Sequence, residues 1–192
     1  MTELLITKNN MKKVTLITAL LCFSFGIFGQ KHITRTGTIQ FFSETDIENI
    51  EAINNQVSSV IDAENGEIAF SLLMKAFTFE KALMQEHFNE KYVESEKFPK
   101  AKFKGKIVNF SSAELSENPK EYTIKGSLTI HGVTREIEEK ISLSKTNSNH
   151  IIGTSTFIAI PEDYEIKIPS IVRGNISKTI EIKVKMDYEK MD

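Results

Sequence analysis

The chain has 192 residues, with 24 Lys and Arg against 26 Asp and Glu and a hydrophobic content of 40%. That fits one globular domain with room for a short leader, and it excludes a collagen-like repeat or a disordered chain. A net charge of −2 gives no electrostatic reason to hold nucleic acid or an anionic membrane.

Residues 1–29 read as a leader outside the fold. Met11-Lys12-Lys13 is a short basic start, and Val14 to Phe28 is an uncharged run of 15 residues that ends at Gly29-Gln30. This is the form of a secretory signal peptide. The run is short for a membrane helix, which needs roughly 20 apolar residues. The first ten residues add nothing to the pattern, which points to Met11 as the true start. An uncleaved anchor is the alternative. Cys22, the single cysteine, lies inside the run and follows Leu21 rather than the small residue that lipid attachment wants. The mature domain is then residues 30–192, and losing Lys8, Lys12, Lys13 and Glu3 takes its net charge from −2 to −4. It has no thiol, so disulfides are excluded even though an export compartment permits them. No stable membrane insertion is expected once the leader is gone.

The domain opens with strand-like alternation. Ile33, Arg35, Gly37, Ile39 and Phe41 fall on one face, with Thr34, Thr36, Thr38 and Gln40 opposite. Residues 45–52 fit a helical turn or a bend. Ile53, Val57 and Ile61 resume the strand, and Asn65-Gly66 closes a hairpin because both residues tolerate positive φ. Ile68, Phe70, Leu72 and Met74 alternate next.

Phe77 to Gly105 breaks the pattern. Glu80 to Asn89 lacks Gly, Pro and β-branched residues, and Phe79, Leu83, Met84 and Phe88 give a short helix one apolar face. The helix must end before Pro99. Phe103, Gly105 and Ile107 then start another strand, and 111–120 is a polar loop. Tyr122, Ile124, Gly126, Leu128 and Ile130 alternate up to a turn at His131-Gly132. Ile137, Ile141 and Leu143 alternate with Glu136, Glu138 and Lys140. Residues 152–160 are a further strand, followed by a turn at Pro161-Glu162-Asp163 and a short strand through Tyr164, Ile166 and Ile168. Ile180, Ile182, Val184, Met186 and Tyr188 form the apolar side of the last strand.

About eight strands with one apolar face each must close or double over to hide that face. The pattern predicts an all-β fold, an eight-stranded antiparallel barrel with one helical insertion near residues 79–90. A two-sheet sandwich is the alternative. The barrel interior is either a lengthwise apolar tunnel or a solid core.

Phe88 to Phe103, FNEKYVESEKFPKAKF, followed by GSLTIHGVTREIEEKISL at Gly126 to Leu143, resembles the YceI family. The shared features are a helix feeding an aromatic-Pro pair (Phe98-Pro99), an F-x-G strand, and the L-x-I-H-G-V-T hairpin. The resemblance covers essentially the whole mature chain. Its opening, TGTIQFF, is shorter than the family's usual start. The resemblance implies an exported bacterial protein, periplasmic or secreted with the periplasm favoured, with an extended lipocalin-like barrel, and some members hold a polyisoprenoid chain inside. True lipocalins carry a Gly-x-Trp near the first strand, and this chain has no tryptophan.

A greasy barrel favours long chains. One buried methylene is worth about 0.8 kcal/mol, so a five-carbon isoprene unit offers roughly 3–4 kcal/mol gross. Association costs about 4–15 kcal/mol first. Several units could bind where one would not. An isoprenoid-type lipid, a polyprenyl lipid or a quinone tail, is the expected ligand. Its expected contacts are Phe70, Leu72, Phe103, Ile107, Leu128, Ile130, Ile182 and Val184, with Phe79, Leu83, Met84 and Phe88 of the helix as a lid. Arg173, in the loop IPSIVRGNI, could meet a head-group phosphate bidentately. The alternative is a ligand-free scaffold or stress-associated interaction protein whose core is simply filled.

Catalytic patterns are weak. His87 and Glu90 share a helix face at i and i+3, but no second such pair offers a third metal ligand. His131 is explained as a turn residue, and His32 and His150 fall in no motif. No Gly-x-Ser-x-Gly elbow is present. Glu136, Glu138 and Glu139 read as a solvated strand edge. No enzyme activity, cofactor or metal is expected, and the oligomeric state is not encoded in any pattern here.

Overall fold

The computed structural model describes residues 30–191. The leader, with Met11 and Cys22, lies outside the described residues. Nine strands and one short α-helix follow in chain order: β1 (Lys31–Glu44), β2 (Asn49–Asp62), β3 (Glu67–Leu73), β4 (Thr78–Phe79), α1 (Ala82–His87), β5 (Lys100–Ile107), β6 (Lys120–Ile130), β7 (Val133–Lys145), β8 (Ile151–Ala159) and β9 (Ile180–Lys190). Hydrogen bonds run β1-β9-β8-β7-β6-β5-β3-β2, and β2 returns to β1. The eight long strands thus form a closed antiparallel barrel. Closure leaves no free sheet edge along most of the wall. The two-residue β4 is a side pairing on β2.

Short turns set this register. Thr45 folds β1 back onto β2: its Oγ1 accepts the Glu48 N–H at 3.0 Å. The ambiguous 45–52 segment is therefore a tight turn and then strand. Between β6 and β7, His131 (φ 52°) and Gly132 (φ 77°) make a two-residue turn with two positive φ angles, the form that suits the strand twist.

Besides Ile53, which pairs with Gln40 on the outer face and lies across a register shift from Val57 and Ile61, two expectations about strands need correction. First, β1 is not one continuous face. Its register shifts between Thr34 and Gly37, so His32 and Thr34 point inward and are buried, while Ile33 is half-buried and Arg35 is exposed. A bulge moves every side chain before it to the other face. Second, residues 164–168 are not a strand. Pro161–Tyr164 is a 3-10 turn that ends on Glu165 in the left-handed region (φ 57°).

The barrel wall is broken next to β3. Its partner β2 pairs with β3 at Ser58–Ile61 and with β4 at Ala52–Ile53, and a 3-10 turn at Met74–Ala76 separates the two. Asn54 fills the break. It is fully buried, its Nδ2 donates to the Leu73 carbonyl at 2.9 Å, and its Oδ1 accepts the Gln56 N–H at 2.9 Å. A buried amide is tolerated there because it meets the backbone groups that the ladder leaves unpaired.

The interior is a solid core in one half only. Val57, Ile61, Ile107, Leu143, Ile151 and Tyr188 are each under 2% exposed and fill the end near the β2–β3 hairpin. The Tyr188 hydroxyl meets Ser59 Oγ at 2.9 Å. The barrel is therefore not a tunnel from end to end. Gly105 of β5 and Gly126 of β6 face each other across the wall; a Cβ on Gly126 would lie 2.4 Å from the Gly105 Cα. That close approach leaves room for the Phe103 ring over Gly105.

Candidate functional site

The other half of the barrel is hollow. A cavity of about 360 Å³ opens at the end where α1 lies. Its wall is built by inward positions of successive strands. Phe70 and Leu72 come from β3, Ala101 from β5, and Leu128 and Ile130 from β6. Phe157 and Ala159 of β8, Ile180 and Ile182 of β9, and Ile39 and Phe41 of β1 complete it. Ligand sites usually have volumes of about 300–1,000 Å³ and an apolar lining with few polar groups.

The lid is α1 and the wider turn that continues it. From Phe88 to Tyr92 the bonds run five residues apart, as in Val93 N–H to the Phe88 carbonyl at 2.9 Å. Met84, His87 and Phe88 face the cavity. Phe88 packs with Phe41, Phe77 and Phe79 at ring-centroid distances of 5.5, 5.6 and 5.1 Å. Such aromatic pairs add about 0.5–1.5 kcal/mol each beyond their buried area.

Polar bonds hold the lid from its two ends. At its start, Glu48 accepts from Lys81 Nζ at 2.9 Å and from Asn175 Nδ2 at 3.3 Å. One carboxylate thus ties together the β1–β2 turn, the helix start and the 170–176 loop. Those two donors hold the Glu48 carboxyl below its ordinary range, the Lys81 bond being the larger cause. Beyond the helix, the His131 ring bridges Glu94 Oε2 at 2.8 Å and the Tyr164 carbonyl at 3.1 Å. A carbonyl only accepts, so Nδ1 carries a proton. Phe98 packs edge-on against this ring at 4.4 Å.

The ring of strands is not fully bonded beside the cavity. β7 and β8 pair only at Ser142–Lys145 with Ile151–Thr154. Further up, one bond spans them, from Ser155 Oγ to the Lys140 carbonyl at 2.6 Å. Behind this split lies a smaller space of about 50 Å³, lined by Phe103, Ile137, Glu139, Phe157 and Val184 among others. Burial pushes the Glu139 carboxyl above its ordinary range.

The structure brings most of the expected contacts together. Phe70, Leu72, Phe79, Met84, Phe88, Leu128, Ile130 and Ile182 all line the main cavity. Phe103 and Val184 face the smaller space instead. Ile107 sits in the filled end, and Leu83 points outward at 61% exposure. Arg173 lies in an open groove outside the mouth with Lys91, Lys97 and Lys167 and the carboxylates of Glu94, Glu162 and Glu165, and its Nε donates to the Ile168 carbonyl at 3.2 Å. His87 faces the cavity while Glu90 is exposed, and no group of three metal-binding side chains occurs among the described residues. Glu139 faces inward rather than sitting with Glu136 and Glu138 on the solvated side. Sequence reasoning missed Phe41, Phe77, Glu48 and Tyr164. For Phe41 the signal was present, since it alternates with Ile39; Glu48 and Tyr164 sit in turns where no periodicity applies.

The comparisons agree with this architecture. The family model described as a YceI-like domain matches residues 25–188. A polyisoprenoid-binding domain from Saccharophagus degradans, implicated in plant cell wall breakdown, superposes with a TM-score of 0.75 at 14% identity, over 85% of this chain and 99% of that one. BcnA of Burkholderia cenocepacia gives 0.67 at 11% identity, over 80% and 96%. The YceI protein of Campylobacter jejuni gives 0.60 at 16%, over 77% and 90%. At these identities the likeness is one of fold. No match to a curated protein is found.

Proposed function

The chain belongs to the YceI-like domain family, and from that premise we propose that it is an exported carrier that holds one isoprenoid-type chain in the open half of its barrel. The observation that carries the reading is the cavity of about 360 Å³, lidded by α1 and walled by aliphatic and phenylalanine side chains. The printed description of the Saccharophagus degradans neighbour, a polyisoprenoid-binding domain, supports the choice of ligand. Export rests on the leader pattern at Met11 to Gly29, and a periplasmic location on what the family implies. No helix among the described residues is long and apolar enough to cross a membrane.

The arrangement suits a carrier. Three isoprene units would offer about 12 kcal/mol gross at about 0.8 kcal/mol per methylene. Against an association cost of about 4–15 kcal/mol, that leaves binding that can be reversed. Met84 gives the lid an adaptable side chain. The groove outside the mouth is of mixed charge, with Arg173, Lys91, Lys97 and Lys167 beside Glu94, Glu162 and Glu165, and within it Arg173 is the group that would meet a phosphate-bearing head group. Of the polar side chains on the lining, Glu48 is bonded to Lys81 and Asn175, and Ser43 Oγ accepts the Ser177 N–H at 2.9 Å, so both are held in structural bonds.

The test is organic extraction of the protein purified from its native compartment, followed by mass spectrometry. A prenyl lipid at close to one per chain is the expected result. Clean extracts, together with no uptake of added prenol or quinone, would leave the scaffold reading instead.

A further inference from the structure

The cavity has a floor, and the floor is built to stay in place. Phe70, Leu128 and Phe157 border both the main cavity and the smaller space behind it. Phe70 and Leu128 lie on either side of Phe103, in register across β3, β5 and β6. The Phe70 ring stacks on Phe103 at 5.4 Å, with the planes 19° apart. Phe103 in turn lies over Gly105, where a Cβ would meet its ring at 2.5 Å. Behind them lies only the smaller space of about 50 Å³, well short of the roughly 150 Å³ that one benzene ring occupies, so neither ring has room to withdraw fully.

We infer that Phe70, Leu128 and Phe157 set the length of chain that the protein reads, about three isoprene units. This rests on the carrier reading above. A cavity of about 150 Å³ in a protein core takes one benzene, six carbons. On that scale about 360 Å³ holds roughly 14 carbons. A longer chain leaves its remainder outside the mouth, in contact with water or solvent-exposed protein. The space behind the floor, about 50 Å³, adds roughly two carbons and brings the chain end against Glu139. Burial already disfavours the charge on this carboxyl group, and an apolar chain end would strip it of more water, so the boundary is chemical as well as steric.

The experiment is calorimetric titration with geraniol, farnesol, geranylgeraniol and geranylfarnesol, which carry two to five units. For the unaltered chain, affinity is expected to rise at least about tenfold from geraniol to farnesol, then to change by less than about threefold. Phe157→Ala and Leu128→Ala, each checked for an intact thermal transition, are expected to move the break up to geranylgeraniol. Ala101→Phe fills space above the floor and is expected to move it down to geraniol, which gives a readout that does not depend on a truncated core. Affinity that keeps climbing through five units in the unaltered chain would overturn the length limit. A break that stays at farnesol in every folded variant would overturn the assignment of the floor. No binding at any length would overturn the carrier reading itself, a different result from binding without a break.

Discussion

Tyr188 shows how one residue plugs the closed end. Ser59 Oγ donates to the Ala69 carbonyl at 2.9 Å, so the Tyr188 hydroxyl must be the donor in its 2.9 Å bond to Ser59. Tyr188→Phe removes that donor and leaves Ser59 otherwise paired; it is expected to cost about 1 kcal/mol, read as a lower urea midpoint at unchanged slope. Burial pushes the Tyr188 phenol from 10.0 up to about 12. The folded chain therefore keeps a proton that the unfolded chain has lost. Stability is full below pH 10, and up to roughly 3 kcal/mol of it is lost as pH rises through about 12. Denaturation curves between pH 9 and 12, compared with Tyr188→Phe, isolate this contribution, and the variant should show a smaller alkaline loss. Asn54→Leu removes the bonds to the Leu73 carbonyl and from the Gln56 N–H, and is expected to cost about 1–3 kcal/mol in total. Such residues were the hardest to read in the sequence. Asn54 sits among alternating residues where a polar side chain looks outward, and only the gap between β3 and β4 explains why it turns in. Ile107 was legible as inward but not as belonging to the filled half, because periodicity gives the face and not the depth.

At the scale of elements, the hairpins and the lid differ in how much the sequence showed. His131-Gly132 and the β6 and β7 alternation sit where the pattern put them, since a two-residue turn fixes register on both sides. The helix was visible as an interruption, and Met84 and Phe88 do turn inward, four residues apart. Leu83, next to Met84, was placed on that face by hydrophobicity alone; the short helix has room to bury only one narrow stripe. Glu48 clamps this element from outside the periodic segments. Glu48→Gln keeps the shape but loses the charge opposite Lys81, and a freer lid is expected to speed ligand release several-fold in stopped-flow exchange while equilibrium stability changes little. The acid limit follows the same bond. The Glu48 carboxyl is held below its unfolded value of 4.5, so the clamp is complete above that pH and weakens as pH falls through the lower folded value. Release from the unaltered chain should therefore quicken in acid, and release from Glu48→Gln should change less.

For the whole molecule, eight amphipathic strands required a closed or doubled sheet, and the closed barrel is what forms. What remained open was whether the interior is hollow. The answer is mixed: large side chains meet at one end, and at the other Ala101 and Ala159 leave space that the lid covers but does not fill. Volume depends on which residues share a level across the barrel, and that depends on bulges and turns that shift register by single residues. The direct measurement is calorimetric titration with farnesol at several temperatures, comparing the unaltered chain with Ala159→Trp, which puts an indole into the mouth. One site per chain, a negative heat-capacity change and loss of binding in the folded tryptophan variant are expected. Farnesol binding that survives the tryptophan, or no binding to the unaltered chain, would contradict the claim that this cavity is the ligand site.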